Sequence, residues 1–184
     1  MKVLLEKYRC TGTRVVGLPK HVTKLHDFID LSAIESEDLS KLSATFAQFA
    51  AQYLLQPSAN EACATRVALH YKEDIALLAA VVARMQIRPA IVDLEASSNR
   101  IKGRYLRGEH AIFLHDFTTT GFTPLNCISE LRQHGMLVKR IVSFFVREDT
   151  LDDLQQHCAQ NGVEFRVFCV ANGAGDLVIR NNAL

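Results

Sequence analysis

The stretch Ala111-Ile112-Phe113-Leu114-His115-Asp116-Phe117-Thr118-Thr119-Thr120-Gly121-Phe122-Thr123 decides how the chain is read. It opens as a short apolar run, 111–114, of the kind that suits a strand buried on both faces of a parallel sheet. Asp116 falls at the C-terminal end of that strand. Three threonines and Gly121 make a turn. Thr123-Pro124 predicts a helix start, because Thr is a good N-cap and Pro is tolerated at the first helical position. The unit reads as strand, hydroxyl-rich loop, helix. Loop amides and a helix N-terminus aim partial positive charge at one spot, and hydroxyls add donors, so phosphate binds well there. Asp116 is an acceptor beside it, which suits sugar hydroxyls. From spacing alone, a sugar-phosphate site and an ordinary polar strand-to-helix turn account for these residues equally well.

Outward from this unit, strand and helix signals alternate. On the N-terminal side, brief strands are expected at 14–18 and 28–31. Ser36 predicts the N-cap of a long helix that carries an apolar stripe from Leu39 to Leu54. A strand at 63–69, a loop at 70–74, a buried helix at 75–85 and a strand at 89–94 follow. Residues 95–108 are polar and read as a basic loop with Arg100, Lys102, Arg104 and Arg107. On the C-terminal side, a helix at 125–134 closes on Gly135. A strand at 138–146, a helix at 151–160 capped by Thr150, and a strand at 163–170 complete the pattern. Alternation of this kind implies an α/β fold with a mainly parallel central sheet. Ligands in such sheets bind beyond the carboxyl ends of the strands, where the Thr118–Thr123 loop and the Tyr71-Lys72 loop both fall.

Composition bounds the function. The 184 residues read as one domain, 1–184, with 48% apolar and 22% charged residues. A net charge of +1 offers no general attraction to nucleic acid or to an anionic membrane. No apolar run approaches spanning length, and the N-terminus lacks a leader pattern. The five scattered cysteines form no Cys-x-x-Cys pair, which predicts reduced thiols in a cytoplasmic protein. His110, His115 and Asp116 are metal-capable types. Adjacent strand residues point apart, however, so no metal ligands are assigned.

The central stretch also resembles the signature of type I phosphoribosyltransferases: four apolar residues, an acidic pair, two variable positions, Thr-Thr-Gly, one variable residue and Ser/Thr. Asp116, Thr119, Thr120, Gly121 and Thr123 match it, and His115 stands where the family has its first acid. The layout from about Leu18 to Val170 is similar to that of orotate phosphoribosyltransferases. Phe28-Ile29-Asp30-Leu31 resembles their segment ahead of the first long helix. Ile101-Lys102-Gly103 followed by Gly108 resembles their hairpin into the signature strand. The resemblance implies five parallel strands with helices on both faces and a small N-terminal hood. It implies binding of phosphoribosyl pyrophosphate or a nucleoside monophosphate, transfer to a nitrogenous base such as orotate, magnesium bound mainly through the substrate, and a homodimer. Residue by residue, it places the sugar on His115 and Asp116, and the 5′-phosphate on Thr118, Thr119, Thr120, Gly121, Phe122 and Thr123. The catalytic residues become Asp116 and Lys72, with Lys72 holding pyrophosphate and Arg100 or Lys102 assisting.

Three positions differ from the family's pattern, beginning with His115. The loop at 70–73 has no glycine to let its backbone wrap pyrophosphate, although Lys72 supplies a point charge. Asp93-Leu94-Glu95 occupies the place of an Arg-Lys pair, and the mobile loop beyond it shortens to 96–99. Acids there are expected to repel pyrophosphate. Losing one group that stabilises developing charge commonly costs on the order of 10²–10³ in rate. A second reading is therefore a non-catalytic regulatory or partner protein that binds a nucleotide or phosphoribosyl pyrophosphate. A third is a scaffold whose threonines merely cap a helix.

Overall fold

The computed structural model describes residues 1–10, 14–16, 23–25, 28–29, 33–55, 66–71, 76–87, 89–98, 100–118, 120–171 and 176–180. In chain order the elements are α1 (Lys2–Lys7), β1 (Arg9–Cys10), β2 (Arg14–Val16), β3 (Thr23–Leu25), β4 (Phe28–Ile29) and α2 (Ser36–Leu55). Then come β5 (Arg66–His70), α3 (Ala76–Met85), β6 (Pro89–Val92), β7 (Ile101–Lys102), β8 (His110–Thr118) and α4 (Phe122–Gln133). The chain ends with β9 (Leu137–Arg147), α5 (Glu148–Gln160), β10 (Glu164–Ala171) and β11 (Leu177–Ile179).

The central sheet has seven strands in the order β11-β10-β9-β8-β5-β6-β7. The five inner strands are mutually parallel, as expected. Each edge carries a short antiparallel strand, β11 on β10 and β7 on β6. Two antiparallel ladders near the N-terminus, β1 with β4 and β2 with β3, form the small hood.

Both faces of the sheet are covered, which is why its strands are apolar runs and not alternating ones. All of β5 is buried, from Arg66 to His70. On one face, α2 and α3 pack Leu42, Phe46, Phe49, Leu77, Leu78 and Val81 against Ile112, Leu114, Val142 and Phe144. Phe46, Phe144 and Phe168 meet there with ring centroids 5.2–5.7 Å apart. Truncating one such ring to alanine costs about 3–5 kcal/mol. On the other face, α4 and α5 bring Cys127, Ile128, Leu131, Leu151, Leu154 and Cys158 against Phe113, Ile141 and Val146.

Residues 2–28 give no clear periodicity, yet Lys2–Lys7 is helical and docks on the start of α2. The Tyr8 hydroxyl donates to Asp38 Oδ2 at 2.6 Å and accepts the Glu35 N–H at 3.1 Å. Three predicted helix starts shift. Leu39 N–H closes on Glu35 O at 2.8 Å, so Ser36 is the first helical residue and not the cap. Helix α4 begins at Phe122 behind Gly121, with Thr123 inside its first turn. Helix α5 begins at Glu148, and Thr150 Oγ1 donates back to Arg147 O at 3.0 Å instead of capping. The signature strand is also longer than predicted, running through Asp116 to Thr118, because β9 continues beside it to Val146.

Candidate functional site

In chain order the five parallel strands lie 2-1-3-4-5 across the sheet, so the order reverses between β5 and β8. Helix α3 leaves β5 on one face and α4 leaves β8 on the other. In sheets of this kind, ligands bind beyond the carboxyl ends of the strands at such a reversal, here the ends of β5 and β8. The predicted loop lies there. Lys72 and Thr119 fall outside the described residues, as do 73–75 in the pyrophosphate-loop position.

His115, Asp116 and Thr118 come together at the end of β8 and are 4%, 2% and 1% exposed. The His115 ring stacks on Phe113 with centroids 6.2 Å apart. His115 Nδ1 lies 3.1 Å from Thr118 Oγ1, which is 2.8 Å from Ser143 Oγ on β9. His115 and Asp116 do not simply point apart as strand neighbours should. Asp116 curls back to accept its neighbour Phe117 N–H at 2.6 Å, which leaves its Oδ1 3.7 Å from His115 Nδ1. A sugar would reach either residue only by displacing what covers it.

Beyond Thr118 the loop turns outward. Thr120 is exposed, and its Oγ1 accepts the Phe122 N–H at 3.5 Å. Gly121 takes the N-cap position at φ 74°, a left-handed conformation that a side chain resists. Leu125 N–H closes the first turn on Gly121 O at 3.0 Å. Pro124 falls inside that first turn, where a missing N–H costs no helical bond. Gly121, Phe122 and Thr123 therefore offer backbone at a helix N-terminus, the arrangement that suits an anion. Helix α5 buttresses this loop: His157 Nδ1 donates to Thr120 O at 3.3 Å, and Leu154 packs on Gly121.

At the end of β6, the Asp93 carboxylate is already matched. Lys102 Nζ donates to Asp93 Oδ2 at 3.0 Å and lies 5.1 Å from the centre of the exposed Tyr71 ring. Asp93 Oδ1 accepts the Glu95 and Ala96 N–H groups, each at 3.2 Å. The Lys102 hydrogen bond holds the Asp93 carboxyl below its ordinary value. Arg100 donates to Ala96 O at 3.1 Å and to Glu130 Oε2 at 3.4 Å. The Asp93 charge is thus neutralised locally, because β7 pairs Lys102 with Ile91 and sets it beside the strand end. Gly103 is required in this hairpin, since a Cβ there would lie 2.7 Å from Pro89 O.

Three residues at this edge escape the reading of the sequence. Ser143 is the lone hydroxyl in the apolar run 141–146, a legible sign of a buried partner. Arg147, at the carboxyl end of β9, follows the residue in register with Thr118 and pairs with Asp149. His157 gives no sign in the sequence. Among the described residues, no group of three His, Cys, Asp or Glu is placed to hold a metal ion. Two open grooves lie elsewhere, one along α4 by Leu125, Ser129 and Arg132, the other between α2 and α3 by Leu39, Ala80 and Arg84. Neither gathers reactive groups among the described residues.

No family model matches the chain. An orotate phosphoribosyltransferase of Thermoplasma acidophilum is 30% identical over 93 residues, 49% of this chain and 53% of that protein. Across the curated matches, the aligned part is 37–53% of the relatives' own length. Among solved structures, Leishmania donovani UMP synthase superposes with a TM-score of 0.72 at 18% identity, over 94% of this chain and 35% of that one. Orotate phosphoribosyltransferase from Aeropyrum pernix superposes with a TM-score of 0.69 at 17% identity, over 90% of each chain. Fold and signature together define the class: the chain has the type I phosphoribosyltransferase fold. Within that class, the orotate phosphoribosyltransferases are the enzymes it resembles in sequence.

Proposed function

We propose that the chain binds a phosphoribosyl group at the carboxyl end of β8 and transfers it to a nitrogenous base. The observation that carries this reading is the left-handed Gly121 turn into α4, set at the point where the strand order reverses. Thr118 to Thr123 hold the 5′-phosphate, with Asp116 and His115 at the sugar. Lys72, on the adjoining loop, meets the pyrophosphate of phosphoribosyl pyrophosphate. Magnesium would be bound mainly through the substrate, where it would offset charge on the leaving pyrophosphate. In this reading the chain works as a cytoplasmic homodimer formed of one domain.

The Asp93–Lys102 pair favours a second reading. Where orotate enzymes carry an Arg-Lys pair, this chain has an ion pair that is already neutral. That supports a regulatory or partner protein that binds a nucleotide or phosphoribosyl pyrophosphate without turnover.

Calorimetric titration separates the readings. Phosphoribosyl pyrophosphate with magnesium, ribose 5-phosphate and a nucleoside monophosphate are titrated into wild type and Asp116→Ala. Binding of the pyrophosphate form, weakened in the variant, supports an enzyme and directs a screen of bases. Binding of the monophosphates alone supports the second reading. No binding of any of them removes both.

A further inference from the structure

A chain of buried hydroxyls runs from β9 to the signature strand. Ser143 and His115 are register partners on neighbouring strands. Ser143 Oγ lies 3.1 Å from Phe145 O and 2.8 Å from Thr118 Oγ1, and Thr118 Oγ1 lies 3.1 Å from His115 Nδ1. Ser143, Thr118 and His115 are 0%, 1% and 4% exposed. A backbone carbonyl only accepts, so the single Ser143 proton goes to Phe145 O. Thr118 must then donate to Ser143. Its one proton spent, it accepts from His115 Nδ1–H. The reverse order would set a Ser143 lone pair against the Phe145 carbonyl in a buried place, which is costly. A second observation points the same way. Asp116 Oδ1 lies 3.7 Å from the same Nδ1, and a nearby carboxylate favours a proton there.

We propose that Ser143 is a positioning residue: through Thr118 it fixes His115 as the Nδ1–H tautomer and orients both for the phosphoribosyl ligand. The ligand half of this proposal rests on the function proposed above. In this tautomer the acceptor nitrogen of the neutral ring is Nε2. The ring then has acceptor polarity, like the carboxylate whose place it takes in the family signature. A neutral Nε2–H ring would instead face a sugar hydroxyl as a donor.

The test reads the ring directly. The full chain, with ¹⁵N-labelled histidine, is studied by long-range ¹H–¹⁵N correlation well above the usual imidazole pKa of about 6.5. Loss of one signal set in His115→Gln identifies the ring among the seven histidines. The expected wild-type ring is protonated at Nδ1. In Ser143→Ala the Thr118 proton is released, donates to Nδ1, and shifts the ring toward Nε2–H. The Kd for ribose 5-phosphate then rises about fivefold, the worth of one hydrogen bond. Thr118→Val, which removes the acceptor without changing volume much, also loosens the tautomer. A wild-type ring protonated at Nε2 overturns the proposal, and so does a Ser143→Ala protein with unchanged ring shifts. A shifted tautomer with an unchanged Kd overturns the positioning role in binding. A wild type that binds no phosphate ligand, while its ring shifts behave as expected, overturns the proposed function and confirms the relay.

Discussion

Gly121→Ala is the substitution that tests most of the site at once. Gly121 carries the turn from β8 into α4 at φ +74°, and an added Cβ would sit 2.9 Å from Leu154 Cδ2. Two costs add. A side chain in the left-handed region costs about 1–2 kcal/mol. Leu154 is 1% exposed, so its tip has little room to retreat, and overpacking costs about 1–3 kcal/mol. The total is about 2–5 kcal/mol. In a chain of this size each kcal/mol lowers Tm by about 2–4 °C, so a fall of at least about 4 °C is expected. Gly162→Ala is the control: its φ is +64°, but nothing lies within 4 Å of the added Cβ, so only the backbone cost applies. Differential scanning calorimetry of both variants isolates the Leu154 contact. Titration with ribose 5-phosphate then reads the loop. Pushing Gly121 off α5 also strains the His157 bond to Thr120 O, so binding should weaken in Gly121→Ala and hold in Gly162→Ala. Equal Tm values for the two variants would refute the packing argument, and unchanged binding by Gly121→Ala would remove the loop from the site.

Other expectations follow from single contacts. Arg66 and Glu109 form an ion pair 2.7 Å long, with side chains only 8% and 12% exposed. Glu109→Ala leaves the guanidinium charge buried and should cost about 3–5 kcal/mol, read by urea denaturation. Asp93 is held below its ordinary pKa of 3.8 by Lys102, so its contribution is present above that pH and lost as pH falls through the folded value. Asp93→Asn should therefore be less stable than wild type at pH 7, with the gap closing as pH falls below the ordinary carboxylate value, a convergence that acid and neutral denaturation curves would show. Burial pushes the Cys158 thiol up to about 11 and the Cys169 thiol up to about 12. Both should resist a thiol reagent at pH 8 in the native state and react on unfolding, followed by mass spectrometry of each peptide.

Helix starts show where local signals stop. Ser36, Thr123 and Thr150 are all good caps in isolation, yet each lies inside its helix. A cap residue marks a neighbourhood; the first hydrogen bond falls where the preceding strand releases the chain. For α4 that point is Gly121, because β8 stays paired with β9 through Thr118. The Asp93 acid shows the same limit of local reading. Its sign is plain in the sequence, but Lys102, nine residues on, is brought beside it only by the β6–β7 pairing.

The sequence alone determined the alternation of strands and helices, the parallel sheet and the strand–loop–helix at 111–133. These follow from apolar periodicity and turn chemistry, which act over a few residues. Tertiary structure decided which residues meet. Strand register between β8 and β9 sets Ser143 opposite His115, and the packing of α5 on the loop brings Leu154 and His157 to Gly121 and Thr120. Those pairs lie 28 to 37 residues apart in the chain, as His115–Ser143 and Thr120–His157 show, and no local pattern encodes a contact over that distance.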